Sequence, residues 1–189
     1  MRTKLYLISA IALIILCGTA MAQENAPKVE VFGGYSYMRT AGNTNVNGWN
    51  AQANFSLNKW VGIAADFAGH YQTKDTATNR VGANIYSFLF GPQLSDRAGR
   101  ITGFAHALFG GARVQDGFNL GRGGQIGNET GFTMVFGGGI DANVNDKLAV
   151  RLFEADYERI RATNNITGDK EGRNEFRLSI GVVFKLGGK

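Results

Sequence analysis

The sequence predicts an all-β fold, an eight-stranded antiparallel up-and-down transmembrane β-barrel, from three observations. Eight segments alternate apolar and polar side chains with a period of two, which is the period of a β-strand with one apolar face. The clearest segment, at 174–186, exceeds the roughly 5–6 residues of a soluble strand and satisfies the roughly 9–11 residues of a tilted bilayer-crossing strand. Long and short connections alternate along the chain, as they do in an up-and-down barrel whose long loops share one mouth.

The N-terminus has the three parts of a cleavable secretory signal peptide, predicted to span residues 1–22. A basic start precedes an apolar run at 5–17, and Ala20-Met21-Ala22 supplies a small-x-small cleavage site. The run is shorter than the roughly 20 residues of a membrane-spanning helix, so cleavage is favoured over a permanent anchor. The remainder, residues 23–189, has a length that suits a single barrel domain.

Composition narrows the function of the remaining chain. Cleavage removes the only cysteine, Cys17, so no disulfide can form. A lipid anchor on Cys17 is the weaker alternative, because lipoprotein signals resemble one another in having a small residue where this chain has Leu16. The charged residues behind the formal charge of +5 are scattered, which gives no support to nucleic-acid binding. No later segment approaches about 18 apolar residues, which excludes helical spans.

The first four predicted strands each have one apolar face that alternates with small or polar residues. In strand one this face comprises Val29, Val31, Tyr35 and Tyr37, and in strand two Trp49, Ala51, Ala53, Phe55 and Leu57. In strand three it comprises Val61, Ile63, Ala65, Phe67 and Tyr71. Strand four, from about residue 81 to 94, carries Tyr86, Phe88, Phe90 and Leu94.

The last four strands vary in clarity. Strand five, at 101–113, is rich in glycine and alanine, and its faces are not assigned. The apolar face of strand six comprises Phe132, Met134, Phe136, Ile140, Ala142 and Val144, and that of strand eight Phe176, Leu178, Ile180, Val182, Phe184 and Leu186. Strand seven, from 148 to about 157, contains Arg151 and Asp156, whose odd spacing places them on opposite faces unless a bulge intervenes.

The connections predict which mouth each loop occupies. The long polar ones are predicted at 39–48, 73–80, 114–129 and 158–173, and the short ones at 58–59, 95–100 and 145–147. An even number of strands places both termini at the mouth with the short turns, and closure leaves no unpaired sheet edge in lipid.

Polar residues on the faces opposite the apolar ones are expected to point into the barrel. They form a predicted lumen network of Glu30, Asn50, Gln52, Asn54, Asp66, His70, Asp141, Asn143, Arg151, Glu175 and Arg177. Eight strands enclose an interior just wide enough for side chains, and buried charges must pair. A plugged, ion-paired lumen is therefore favoured over an open channel. Because the first and last strands are neighbours, Glu30, Glu175 and Arg177 are expected to be partners.

Aromatic side chains near strand ends are expected to form girdles at the lipid headgroups. They are Tyr35, Tyr37, Trp49, Trp60, Tyr71, Tyr86 and Tyr157. The alternative is that they are ordinary core aromatics.

Four stretches of the predicted strands combine glycine with aromatic residues, which are Val31-Phe32-Gly33-Gly34-Tyr35-Ser36-Tyr37, Phe88-Leu89-Phe90-Gly91-Pro92, Phe104-Ala105-His106-Ala107-Leu108-Phe109-Gly110-Gly111 and Phe136-Gly137-Gly138-Gly139-Ile140-Asp141. These stretches resemble the small eight-stranded outer-membrane β-barrel family of Gram-negative bacteria, the OmpA/OmpX-like barrels. The resemblance covers nearly the whole mature chain and implies an outer-membrane location and a fold, but hardly an activity.

The last strand also resembles the signal recognised by the outer-membrane barrel-assembly machinery. The matching residues are Ser179, Gly181, Phe184 and Leu186. The chain departs from the commonest form, because Leu186 replaces a final aromatic residue and three further residues follow it.

Catalysis and metal binding have little support in the sequence. His70 and His106 are the only histidines, and neither is followed two residues later by a serine, as the resemblance to lipid A-cleaving barrel enzymes would require. They are expected to be hydrogen-bonded interior histidines. The glycine-rich stretch at 121–127 lacks the Lys-Ser/Thr ending of a phosphate-binding loop and is predicted to be a surface loop. No catalytic, cofactor or metal site is predicted.

The expected function is that of a monomeric outer-membrane barrel with a structural, adhesion or surface-interaction role. Its partners are membrane lipid, the assembly machinery and any extracellular ligand of the long loops, especially 114–129 and 158–173. The alternatives are a narrow pore, a lipid-modifying enzyme and a soluble periplasmic barrel that carries a ligand as lipocalins do. The soluble barrel predicts the inverse orientation, with apolar side chains inside.

Overall fold

The computed structural model describes residues 27–40, 45–76, 79–118, 126–163 and 170–187. These residues form eight strands, which are β1 (Val29–Arg39), β2 (Asn45–Ser56), β3 (Val61–Thr76), β4 (Asn79–Ala98), β5 (Ile101–Phe118), β6 (Ile126–Asn145), β7 (Leu148–Thr163) and β8 (Lys170–Leu186). Each pairs antiparallel with the next, and β8 pairs with β1 to close the barrel. The predicted all-β, eight-stranded up-and-down barrel is confirmed. The described part of the chain contains no helix long and apolar enough to cross a membrane.

The orientation of the side chains is apolar outward and polar inward. Large hydrophobic side chains exposed on the outer wall include Phe55, Phe176 and Ile180, which are 52%, 45% and 53% exposed. Their sequence neighbours Asn54, Glu175 and Arg177 are buried in the interior. A soluble barrel with an apolar cavity requires the inverse, so that alternative is wrong.

The structure shows which side chains point inward in β5, the strand whose faces the sequence left unassigned. Thr102, Phe104, His106 and Leu108 are buried and point inward, whereas Arg113 is exposed on the outer wall. His106 therefore joins the barrel interior.

β7 contains the bulge that the spacing of its charged residues requires. Asp141 pairs with Arg151, but the preceding residue of β6, Ile140, pairs with Phe153. The extra residue lets Leu152 and Phe153 both face outward, at 52% and 46% exposure, and it brings Arg151 and Glu154 onto the same inner face. Arg151 and Asp156 consequently both point inward.

Three short connections lie together with the start of β1 and the end of β8 at one mouth, which we call the turn mouth. They occupy residues 57–60, 99–100 and 146–147. The connection predicted at 95–100 is shorter than expected, because β4 continues to Ala98. In the connection at 57–60, the Asn58 side-chain oxygen accepts hydrogen bonds from the backbone N–H groups of Trp60 and Val61, both at 2.8 Å.

At the opposite mouth, which we call the loop mouth, the strands extend beyond their predicted ends. β3 and β4 remain paired as far as Thr76 and Asn79, so most of the long loop predicted at 73–80 is strand. The same holds for 114–118 and 126–129, and for 158–163 and 170–173. Backbone pairing therefore continues past the segments that the sequence predicted to be strands. Two predicted segments lie outside the described residues, which are the signal at 1–22 and residues 121–125 of the glycine-rich stretch. The same is true of 41–44, 77–78 and 164–169.

Candidate functional site: the charged barrel interior

Arg177 of β8 is the centre of the interior. Its side chain is completely buried, and its Nη1 donates to Oδ1 of Asp66 on β3 at 2.9 Å. Its Nε and Nη2 both donate to Oδ2 of Asp156 on β7, at 2.9 and 2.8 Å. Asn50 also donates to Asp66, at 2.7 Å. Since β3 lies three strands from β8 around the barrel, the contact between Arg177 and Asp66 crosses the lumen.

Arg151 of β7 forms a second charged centre. Its Nε and Nη2 donate to the two carboxylate oxygens of Asp141 at 2.8 and 3.2 Å, and its Nη1 donates to Glu154 at 2.6 Å. The guanidinium carbon lies 4.2 Å from the ring centroid of Phe32 and 4.1 Å from that of Phe104. A charge held between two aromatic faces and two carboxylates is stabilised without access to bulk water.

His106 connects the two arginine centres. Its Nε2 lies 2.9 Å from Oδ1 of Asp156, which also binds Arg177, and 4.0 Å from Oε1 of Glu154, which also binds Arg151. Its Nδ1 lies 3.4 Å from the side-chain nitrogen of Gln52. The three strands β5, β7 and β8 thereby contribute to one continuous polar network.

The ligand atoms of His106, Glu154 and Asp156 lie within 4.8 Å of one another, which is a spacing that could hold a metal ion. Both carboxylates, however, already accept hydrogen bonds from guanidinium groups. Two fixed positive charges beside the same oxygens oppose a divalent cation. The arrangement therefore fits an ion-pair network better than a metal centre.

His70 belongs to a separate chain of hydrogen bonds. Its Nε2 lies 2.9 Å from Oγ of Ser36, which accepts a hydrogen bond from Ser179 at 3.1 Å. A serine beside a histidine is the start of a nucleophilic arrangement, but such chemistry needs a third group to orient the histidine and a path for substrate. Among the described side chains, Nδ1 of His70 has no hydrogen-bond partner, and Ser36 is fully buried. The sequence did not indicate this pair, because its members lie 34 residues apart.

Near the turn mouth, Glu30 has partners other than those predicted. It accepts from Arg97 at 3.2 Å and from Asn54 at 3.1 Å, and Lys185 donates to Asn143. The predicted grouping of Glu30 with Glu175 and Arg177 is wrong. The register places Glu30 opposite Lys185, eight residues along β8 from Arg177, although the two strands are neighbours.

The interior holds the eleven residues of the predicted lumen network, of which Asn143 is half-buried and the others are buried. The predicted network omitted six further titratable residues of the interior among the described ones, which are Arg97, His106, Glu154, Asp156, Glu158 and Lys185. The bulge concealed Glu154 and Asp156, and Glu158 lay in a segment predicted to be a long loop. Arg97 lay in a segment predicted to be a turn, and Lys185 was assigned to the polar face of strand eight but not to the network.

The interior also contains buried apolar clusters. Ala64, Leu89, Leu108 and Val135, which come from β3 to β6, form one fully buried cluster. Met38, Val46 and Ile85 form another nearer the loop mouth. Some polar atoms have no protein partner, including both carboxylate oxygens of Glu158, and such atoms in a filled interior are usual sites for ordered water.

The predicted girdle aromatics occupy the outer wall. Tyr35, Trp49, Trp60, Tyr71, Tyr86 and Tyr157 are between 38% and 50% exposed, and Tyr37 is half-buried. Cross-strand pairing places Tyr35, Trp49 and Tyr86 in one row towards the loop mouth, and Trp49 donates to the Tyr71 hydroxyl at 3.1 Å. Trp60 lies at the turn mouth.

The residues of the predicted assembly signal divide between the two faces of β8. Phe184 and Leu186 are exposed on the outer wall, whereas Ser179 is buried in the interior. Gly181 has a packing role as well, because a Cβ at this position would lie 2.8 Å from the ring of Phe32.

The profile of the outer membrane protein beta-barrel domain matches residues 8–185. No curated protein sequence matches the chain. Among solved structures, one that is similar is Ail, the attachment invasion locus protein of Yersinia pestis, in complex with the heparin analogue sucrose octasulfate. The TM-score is 0.59 at 15% identity, and the match covers 87% of this chain and 100% of Ail.

Two further structures are similar in fold. Neisserial surface protein A has a TM-score of 0.53 at 12% identity, with 84% of this chain and 96% of that chain covered. OprG from Pseudomonas aeruginosa has a TM-score of 0.50 at 10% identity, with 86% and 97% covered. The closed barrel and its apolar outer wall are the structure expected of the family whose profile matches residues 8–185. The chain therefore belongs to the outer membrane protein beta-barrel domain family.

Proposed function

We propose that this protein is a monomeric, non-conducting and non-catalytic outer-membrane barrel that holds its loop-mouth connections at the cell surface for a structural or adhesive role. The observation that carries the proposal is Arg177, whose guanidinium joins β8 to β3 across the lumen and also to the neighbouring β7. Export through the signal at 1–22 and recognition of β8 by the barrel-assembly machinery complete the proposal.

The interior supports closure rather than conduction. It contains the ion pairs of Arg151 and Arg177 together with several buried apolar clusters. An eight-stranded barrel has little interior volume beyond that which its side chains occupy. A conducting path would require these buried charges to separate, which costs several kcal/mol for each unpaired ion.

The interior gives catalysis no comparable support. The serine–histidine pair has no described third partner and no exposure. Binding is therefore assigned to the connections at the loop mouth, in part because rigid scaffolds commonly present their binding residues on loops. The heparin analogue seen with Ail, at low identity, makes a sulfated glycan a reasonable first probe for this chain.

The experiment combines conductance and surface binding. In planar bilayers we expect the purified protein to give no unitary current steps. In cells that display it, we expect replacement of 119–125 or 164–169 by Gly/Ser sequences to reduce adhesion to host cells or heparin-coated surfaces. Replacement of the turn at 146–147, which lies at the opposite mouth, is the matched control. Steady conductance of the wild-type protein would refute closure, and adhesion equal to that of cells without the protein would refute the adhesive role.

A further inference from the structure

The outer wall carries a groove of about 520 Å³ towards the loop mouth. Its lining includes Trp49, Phe67, Tyr86, Phe88, Gly111 and Arg113. The rings of Phe67 and Phe88 form one side, with centroids 4.6 Å apart. The floor is open at Gly111, where a Cβ would meet only the carbonyl oxygen of Gly131, at 3.8 Å.

The groove changes from apolar to cationic along its length. Phe67, Phe88 and Gly111 lie towards the middle of the wall, and Arg113 lies one row nearer the loop mouth, opposite Tyr86. Arg113 is exposed. A narrow apolar channel that ends at an aromatic ring and a guanidinium matches an acyl chain joined to an anionic headgroup.

A second exposed arginine lies nearby on the same wall. Arg161 of β7 pairs with Phe132 of β6, which pairs with Gly111 of β5. Arg161 is thus displaced from Arg113 by two strands across the sheet and by two residues along the strand. At about 4.8 Å per strand and 3.4 Å per residue, the two backbones lie roughly 12 Å apart. Two long cationic side chains at this separation can bind two phosphates of one headgroup.

The orientation of the barrel identifies the leaflet. Short turns and both termini of such barrels face the periplasm, and the longer connections face outside. The row of Tyr86 and Arg113 therefore lies at the outer interface, where the outer leaflet of a Gram-negative membrane presents phosphorylated glycolipid.

We propose that this groove is a binding site for a phosphorylated glycolipid of the outer leaflet. One acyl chain lies over Gly111 between the aromatic side chains, and the headgroup phosphates bind Arg113 and Arg161. The proposal rests on the membrane orientation of the barrel and not on closure of its lumen.

The test is native mass spectrometry of the detergent-solubilised protein titrated with bisphosphorylated lipid A. We expect R113Q and R161Q each to weaken binding about tenfold, since each removes a charge-assisted hydrogen bond to phosphate. We expect G111L to weaken binding comparably by filling the groove. Because Gly111 faces lipid and has open space, G111L should retain the heat-modifiable gel mobility of a folded barrel.

The matched control is R100Q, which removes an exposed arginine at the turn mouth. It should leave the affinity unchanged. Equal losses in R100Q and R113Q would show unspecific charge attraction and overturn the site, as would full affinity in G111L. Phosphatidylglycerol is titrated in parallel, and binding as tight as that of the bisphosphorylated lipid would overturn the assignment to glycolipid.

Discussion

At the scale of single residues, the interior depends on charges that have no route to water. The guanidinium of Arg177 donates to Asp66 of β3 at 2.9 Å and to Asp156 of β7 at 2.8 Å. A pair of this kind adds little stability over a well-packed apolar equivalent, but removing one partner leaves the others buried and uncompensated.

Replacement of Arg177 by methionine is therefore expected to lower the free energy of unfolding by about 3–5 kcal/mol. The reason is that the carboxylates of Asp66 and Asp156 remain buried without their counter-ion. Urea unfolding of the protein refolded in phospholipid vesicles measures the change. The triple variant R177M/D66N/D156N should recover part of the loss, because it removes the charges together. Wild-type stability in R177M would show that the ion pairs do not matter for the fold.

Glycines beside the Arg151 site allow aromatic rings to pack closely around its guanidinium. A Cβ at Gly34 or Gly181 would lie 2.7 or 2.8 Å from the ring of Phe32, and one at Gly139 would lie 2.9 Å from that of Phe104. These are the two rings that enclose the Arg151 guanidinium. The glycines thus provide the space in which the aromatic rings can approach the charge.

The inward direction of polar residues could be predicted from the sequence, but their partners could not. Alternation fixes which face a side chain occupies, so Asp66 and Arg177 were both expected inside. Which of them meet depends on strand register and on contacts across the lumen. Glu30 demonstrates the difference: its strand is adjacent to that of Arg177, yet the register separates the two residues by eight positions.

At the scale of the strand, the bulge in β7 determines the chemistry of the interior. If β7 alternated regularly through Leu152 and Phe153, its residues Glu154, Asp156 and Glu158 would share a face with Leu152 on the lipid side. With the bulge, all three are buried, and Leu152 and Phe153 both face outward. A one-residue change in strand register reverses the face of every later side chain.

Deletion of Ala155, which follows the bulge, is therefore expected to prevent insertion. It would turn either Glu154 or both Asp156 and Glu158 towards lipid, at a cost of a few kcal/mol for each charge in the hydrocarbon. The measurement is the fraction of protein with the gel mobility of the folded barrel after refolding into vesicles. Deletion of Phe153 shortens the strand by the same one residue but leaves regular alternation from Arg151 to Glu158, so it is the matched control and should fold. Normal folding of the Ala155 deletion variant would mean that the inward position of the acidic residues is dispensable.

Strand ends were the least predictable part of the elements, for a physical reason. The apolar face marks only the portion of a strand in contact with hydrocarbon. Beyond it, β3 remains paired with β4 as far as Thr76 and Asn79, where the sequence has polar residues such as Lys74 and Asp75. Alternation of hydrophobicity carries no information there, so a polar strand resembles a loop.

At the scale of the whole molecule, the barrel interior combines a charged network with several small apolar clusters. The network includes residues from both sides of the barrel, because Asp66 of β3 and His106 of β5 join the arginines of β7 and β8. Apolar clusters also lie on both sides, one on β3 to β6 and another formed by Phe32, Ala149 and Val183. Charged and apolar groups therefore share the interior at different levels of the barrel instead of occupying separate halves.

The height of the apolar wall can be measured with the two tryptophans of the chain. Trp60 precedes Gly69, the partner of Trp49, by nine residues along β3. At about 3.4 Å per residue and a tilt near 40°, this corresponds to roughly 23 Å, close to the roughly 25 Å apolar band of such barrels. We therefore expect the two indoles to lie at opposite membrane interfaces.

Fluorescence quenching in vesicles of brominated lipids tests this placement on the single-tryptophan variants W49F and W60F. Bromines near the headgroups should quench each remaining indole more strongly than bromines near the bilayer centre, because both interfaces lie far from the midplane. A water-soluble quencher added outside vesicles of uniformly oriented protein should reach Trp49, at the loop mouth, and not Trp60. If bromines near the bilayer centre quenched either indole most strongly, that tryptophan would not lie at a membrane interface. The assignment of the girdle and the estimated height of the apolar wall would then be wrong.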